Sequence, residues 1–298
     1  MLFKKKKEKM VESELALESI LRLIKKSNSK NHAISKQLNE VRDLIKQQNI
    51  RVMRERNAIA INKSELDVYS LSYYSQHGED GALLSILDSI GLNGGVSYEL
   101  GAGDNGGCTG TLSLLRDFKS VFIEQDDALI TSLKNKFAFG ENEIFCNKIT
   151  TENVDSLISE APDVLSCDLD SIDYWILNAM SARPRVVIAE YNASLGPDFC
   201  VTVPENYPHL NINPEMKVGQ FYGCSLSALN NLFESRSMSL VYCDISGTNA
   251  FFVDDIYKDF FTKLSPDQAY RESNNSRLAS SRGYNSDKII SSFSWQML

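Results

Sequence analysis

Tyr98-Glu99-Leu100-Gly101-Ala102-Gly103-Asp104-Asn105-Gly106-Gly107 is the stretch on which the reading of the fold turns. An apolar run, residues 96–100, predicts a strand leading into it, and an amphipathic stretch, residues 109–118, predicts a helix after it. A nucleotide-like cofactor needs glycines at such a junction, because only backbone without side chains turns this tightly and approaches the ligand closely. Gly101, Gly103 and Asn105 are therefore candidate cofactor contacts. Glu99, at the strand tip, can take a charge-assisted bond from the cationic amino-acid end of a cofactor, or it can order the turn by accepting from backbone N–H groups.

The next apolar run, residues 120–124, ends in Glu124, which stands 21 residues beyond Gly103. A carboxylate at that spacing can accept both hydroxyls of an adenosine ribose; the alternative is a cap on the following helix, residues 127–137. A short third strand over 144–147 leads to Thr150-Thr151-Glu152-Asn153, where Asn153 lies beside a bound base or serves as N-cap of a helix over 153–159. Further strands are expected at 164–168, 185–190, 239–244 and 250–253, with helices at 78–90, 174–180 and 225–235. The last two strands can form a hairpin around Ser246-Gly247-Thr248. This alternation of strands and helices predicts an α/β domain over 66–264 with a mainly parallel sheet and helices on both faces. Residues 265–298 are polar and poor in apolar periodicity, which predicts a C-terminal tail or lid.

Ligands of an open α/β sheet sit outside the carboxyl ends of the strands. Asp168, Asp170 and Asp173 come off one such end, and Glu190 and Asn192 off the expected neighbour. Carboxylates held together repel unless one is protonated or a cation is present. Two roles follow: general base catalysis by Asp168, Asp170 or Glu190, or a Mg²⁺ site in which Asp168, Glu190 and Asn192 hold substrate hydroxyls. The competing structural role is to cap helices and pair with Arg183 or Arg185. His77 is a further candidate base, whereas His209 falls in a proline-containing insertion and His32 on the N-terminal segment.

Residues 1–63 hold 16 Lys/Arg against 7 Asp/Glu, and the remainder holds 15 against 32. In the N-terminal part, Leu17, Ile20, Ile24, Ile34, Leu38, Val41, Ile45 and Val52 keep a three-four spacing, so residues 1–65 are expected to form a long basic helix or coiled coil that mediates self-association or packs on the catalytic body. Lys4 to Lys7 would support weak attachment to anionic membrane, while nucleic acid is not an expected partner of so acidic a body. No run of about 18 apolar residues and no signal-peptide pattern occurs, so a cytoplasmic protein is expected, peripheral at the inner membrane face at most. The six cysteines show neither CxxC nor zinc spacing and read as reduced apolar residues.

Taken in order, Ser75-Gln76-His77-Gly78-Glu79-Asp80-Gly81, the glycine turn, Ile123-Glu124, Asp168-Leu169-Asp170-Ser171-Ile172-Asp173-Tyr174-Trp175, Val187-Ile188-Ala189-Glu190-Tyr191-Asn192-Ala193, Tyr222-Gly223-Cys224-Ser225-Leu226 and Gly247-Thr248-Asn249-Ala250-Phe251-Phe252 resemble the FkbM-like group of class I methyltransferases that use S-adenosyl-L-methionine (SAM), and more closely its bacterial branch associated with surface polysaccharides. The resemblance spans about residues 74–253. It implies a Rossmann-like sheet, SAM as cofactor, and O-methyl transfer to a sugar hydroxyl of a capsule or O-antigen precursor. The family pattern more often has a glycine and an asparagine in the loop where this chain has Ser171-Ile172 between its aspartates. Spacing alone also allows an NAD-dependent oxidoreductase, since Gly101, Gly103 and Gly106 satisfy GxGxxG; against it, the Tyr284/Lys288 pair lies in the tail. A non-catalytic scaffold with this fold is the third reading.

Overall fold

A computed structural model describes residues 64–207, 221–281 and 283–298, all within one compact unit. The expected N-terminal helix and its seam lie outside the described residues. Seven strands form one sheet: β1 (Gly94–Leu100), β2 (Asp117–Glu124), β3 (Glu143–Cys146), β4 (Val164–Cys167), β5 (Val186–Glu190), β7 (Met238–Cys243) and β8 (Asn249–Asp254). Their order is β3-β2-β1-β4-β5-β8-β7, with β6 (Val201–Thr202) outside it. The first five are mutually parallel, and β8 runs antiparallel to both β5 and β7. This is a mixed α/β Rossmann-like sheet.

The apolar runs of β4 and β5 explain their central place, because a strand covered on both faces needs apolar residues on both. Val164, Val186 and Ile188 pack on one side with Leu83, Ile86 and Leu87 of α1 (Glu79–Ser89). Leu165, Cys167, Val187 and Ala189 alternate onto the other, against Ile176 and Leu177 of α5 (Asp173–Ala179) and Leu229 and Phe233 of α6 (Leu226–Glu234). Between these come α2 (Leu112–Leu115), α3 (Asp127–Phe137) and α4 (Val154–Leu157). Phe122 of β2 packs with Ile130, Leu133 and Phe137 of α3. No helix among the described residues is long and apolar enough to cross a membrane.

Two expectations change. The helix expected over 109–118 shrinks to α2, and β2 starts at Asp117. Gly94 pairs with Asp117 and Gly95 with Phe118, so the apolar side chain assigned to a helix face belongs to the sheet. The segment after Pro266, expected as a tail or lid, forms α7 (Pro266–Ala269), α8 (Asn274–Ser281), α9 (Ser286–Ser292) and β9 (Gln296–Met297), which pairs with β6. Its anchors are few and aromatic, which leaves no periodicity to read: Phe293 stacks on Phe221 at 4.7 Å, and Ile289 is buried with Leu195 and Val201. Arg271 adds two bonds from Nη2 to the two carboxylate oxygens of Asp67, at 2.7 and 2.9 Å. The hairpin around Ser246-Gly247-Thr248 is present, its turn held by the Asp244 carboxylate, which accepts from the Ser246 and Thr248 N–H groups.

Candidate functional site

A cleft of about 570 Å³ opens at the carboxyl ends of the strands, around the point between β1 and β4 where the strand order reverses. The glycine turn forms part of its wall. Gly101 (φ 84°) passes so close to β4 that an added Cβ would overlap the Asp168 carbonyl oxygen. Gly103 (φ 56°) differs: an added Cβ would meet only Asn105 Oδ1, at 3.5 Å. The first glycine therefore closes the loop on the sheet, and the second leaves open space at the cleft wall.

Three polar side chains hold this loop. Glu99, 1% exposed, accepts from Thr109 N–H at 2.7 Å, so of its two expected roles the structure shows the ordering of the turn. Burial pushes its carboxyl up to about 7, against the opposing pull of donors on Ser166, Thr109 and Cys108. Glu124 accepts from Gly103 N–H at 2.9 Å and from Gln125 and Asp126 N–H at 2.8 and 2.9 Å, tying the β1 and β2 loops together at the cleft wall. The cap of α3 is Asp126, not Glu124. Asn105 donates to Tyr74 O at 2.7 Å and accepts from Gly107 N–H, fixing residues 75–79 over the same space.

Beside the loop, Asp168, Asp173 and Glu190 each bring a carboxylate oxygen within 4.8 Å of the others. Carboxylates held this close repel unless a proton or a cation lies between them. Burial and the charges of Asp173 and Asp170 push Asp168 well up, and burial with Asp168 pushes Glu190 up. Asp173 is pinned by the Leu169 and Ser171 N–H groups at 2.6 and 3.0 Å and so shapes the loop carrying the other acids. Asp170 lines the cleft in a left-handed conformation, φ 55°, which short polar residues tolerate better than most.

Not every expected residue reaches the cleft. Asn153 is absent from its walls; it stands at the N-cap position of α4 but its side chain makes no cap bond, accepting instead from Thr150 N–H and donating to Lys148 O, while Asn147 and Ile149 line the cleft. Asn192 also stays outside, because its oxygen accepts from Ser194 N–H and its Nδ2 donates to Tyr222 O. Asp173, rather than Asn192, completes the carboxylate group that could hold a metal. His77 does line the cleft.

Glu79 and Asn249 were not singled out as site residues, yet both are buried and line the cleft. Asn249 Nδ2 donates to Glu79 Oε1 at 2.9 Å across 170 residues of chain, and His77 N–H donates to Glu79 Oε2 at 2.7 Å. Each lay in a quoted motif; what connects them is a tertiary contact. Asp80, beside Glu79, organises the wall itself by accepting from the N–H groups of Tyr73, Tyr74 and Ser75 and from the Thr111 hydroxyl.

No protein-family model matches the chain, and no curated protein matches it. Among solved structures, a putative caffeoyl-CoA O-methyltransferase from Staphylococcus aureus is 14% identical, with a TM-score of 0.42 over 71% of this chain and 96% of that one. A SAM-dependent methyltransferase from Clostridium acetobutylicum ATCC 824 gives 14% identity and 0.39 over 58% and 89%. The N-terminal domain of EvdMO1, solved with SAH bound, gives 12% and 0.40 over 68% and 94%. Likeness at this level leaves activity and substrate to be argued from the cleft.

Proposed function

We propose that this chain is a SAM-dependent O-methyltransferase acting on a sugar hydroxyl of a surface-glycan precursor. The observation that carries the reading is one cleft at the carboxyl ends of the strands, walled by the glycine turn with Glu124 and, beside it, by the Asp168 and Glu190 carboxyls. Its open space at Gly103 and the orphaned buried acceptors Glu190 Oε2 and Asn249 Oδ1 suit a bound group that supplies donors. Two features speak against the nicotinamide alternative. The dinucleotide sheet continues past its fifth strand with a parallel strand, whereas here β8 is reversed; and Lys288 Nζ lies over the Tyr284 ring at 4.2 Å with neither residue in the cleft.

Glu99, Gly101, Gly103, Asn105 and Glu124 would hold SAM, which supplies an electrophilic methyl group bonded to a sulfonium. The chain's own work is alignment and proton handling. The cleft residues would align an acceptor hydroxyl with that methyl group, and Asp168, with Glu190 beside it, would take the proton the hydroxyl loses. Burial and neighbouring acids push Asp168 up to about 8, the range of a general base working near neutral pH. Asp168, Asp173 and Glu190 also form the only grouping among the described residues with the spacing for a divalent cation, and Mg²⁺ there would lower the pKa of the acceptor hydroxyl.

Calorimetric titration with SAM, S-adenosylhomocysteine and NAD⁺, with and without Mg²⁺, tests the reading. Micromolar binding of the adenosyl ligands alone is the expected result. NAD⁺ binding overturns it in favour of an oxidoreductase, and no binding overturns it in favour of a scaffold.

A further inference from the structure

The cleft has two halves. The tips of β1 and β2 and the chain after β3 wall one; the tips of β5 and β8 and residues 75–79 wall the other, with the β4 tip between them. On the methyltransferase reading, on which this inference rests, the first half takes the adenosyl group and the second takes the acceptor. The acceptor half presents Glu79, Glu190, Thr248 and Asn249, with Asp170 at its border. Among the described residues, no lysine or arginine lines any part of the cleft; the basic side chain there is His77.

Two acceptor atoms in this half have no hydrogen-bond partner: Asn249 Oδ1, on a residue 3% exposed, and Glu190 Oε2, on a residue 8% exposed. Donation from Asn249 Nδ2 to Glu79 Oε1 sets the amide's orientation, so the atom left over is an oxygen. Buried acceptors without donors call for a ligand that carries donors. The charge pattern narrows the class. A phosphate would face Glu79, Asp170 and Glu190 with no guanidinium or ammonium group among the described walls to receive it, whereas an ammonium brings three donors and the complementary charge.

We propose that the acceptor half binds an amine-bearing polyol, of which an amino sugar is the simplest class, with its ammonium group directed to the Asn249–Glu79–Glu190 acceptors, and that it excludes a phosphate at the same place. The phosphate of any larger precursor then lies outside the described walls of the cleft.

Saturation-transfer NMR on the full chain with S-adenosylhomocysteine present, using glucosamine, glucose and glucose 6-phosphate as probes, tests this. Glucosamine is expected to bind at least tenfold more tightly than glucose 6-phosphate, with glucose between them. Asn249→Leu should reduce that preference to within about twofold. Because a buried substitution can unfold the chain, Thr248→Lys provides the second reading, and its added cation should reverse the order of glucosamine and glucose 6-phosphate. Equal binding of the three probes, tighter phosphate binding, or no binding of any of them overturns the inference. Adenosyl binding with a phosphate preference removes this inference alone. An amine preference without adenosyl binding upholds the amine site and removes methyl transfer.

Discussion

At the residue scale, Gly101 and Gly103 share a left-handed backbone but have different surroundings, and that difference separates folding from binding. In Gly101→Ala the new Cβ overlaps the β4 backbone at Asp168, adding a clash to strain of about 1–3 kcal/mol, so a fall in Tm of several degrees is expected. Gly103→Ala carries the strain with no backbone overlap, so it should fold with a smaller loss of Tm and lose adenosyl affinity out of proportion to that loss. Thermal melts and calorimetry on the same samples check both. Glu99 gives a pH-dependent counterpart. Its folded pKa of about 7 stands above the ordinary 4.5, so its favourable contribution is complete below about pH 4.5 and is lost as pH rises through 7. Wild-type stability should therefore fall between pH 5 and 8 relative to Glu99→Gln, by about 3 kcal/mol at the alkaline end, as read from denaturant melts across that range.

At the element scale, the C-terminal segment braces the strand end that carries Glu190. Tyr191 donates its hydroxyl to Arg271 O at 2.9 Å, Tyr270 donates its own to Ala193 O at 2.8 Å, and the Arg271 guanidinium reaches the buried Asp67 in the single turn Glu65–Tyr69. Two stretches at opposite ends of the described sequence thus meet, with Ser273 of the C-terminal one lining the cleft. Removing one partner leaves a buried charge uncompensated, so Arg271→Met should cost about 3–5 kcal/mol, and the double variant Asp67→Asn/Arg271→Met clearly less than the sum of the two single changes. A double-mutant cycle by chemical denaturation measures this; additive losses would show that the pair contributes nothing specific. The same contacts explain why residues 265–298 read as a polar tail: their anchors are single side chains paired with distant partners, not a stripe repeated along a helix.

At the scale of the whole molecule, an acidic body follows a basic N-terminal stretch of residues 1–63. Lys4 to Lys7, at roughly 1 kcal/mol each near an anionic surface, support at most a weak and salt-sensitive attachment. Sedimentation with anionic vesicles at low salt should capture the wild-type chain, and capture should fall when the four lysines become glutamines and when salt is raised. Equal sedimentation of both proteins would sink the idea.

By itself, the sequence determined the order of the elements and the position of the glycine turn, because strand and helix periodicities and the glycine requirement at Gly101 and Gly103 are local properties of short segments. Local reading also marked Glu99, Glu124, Asp168 and Glu190, which end strands and therefore point to where a parallel sheet binds ligands. Whether an asparagine faces the ligand or the backbone was not legible. Asn153 and Asn192 bond to the backbone of their own loops, while Asn249 reaches Glu79 across 170 residues. The extent of β2, the reversal of β8 and the docking of the C-terminal segment were likewise decided by the tertiary structure, since each depends on which distant chain covers a strand edge or an isolated aromatic ring.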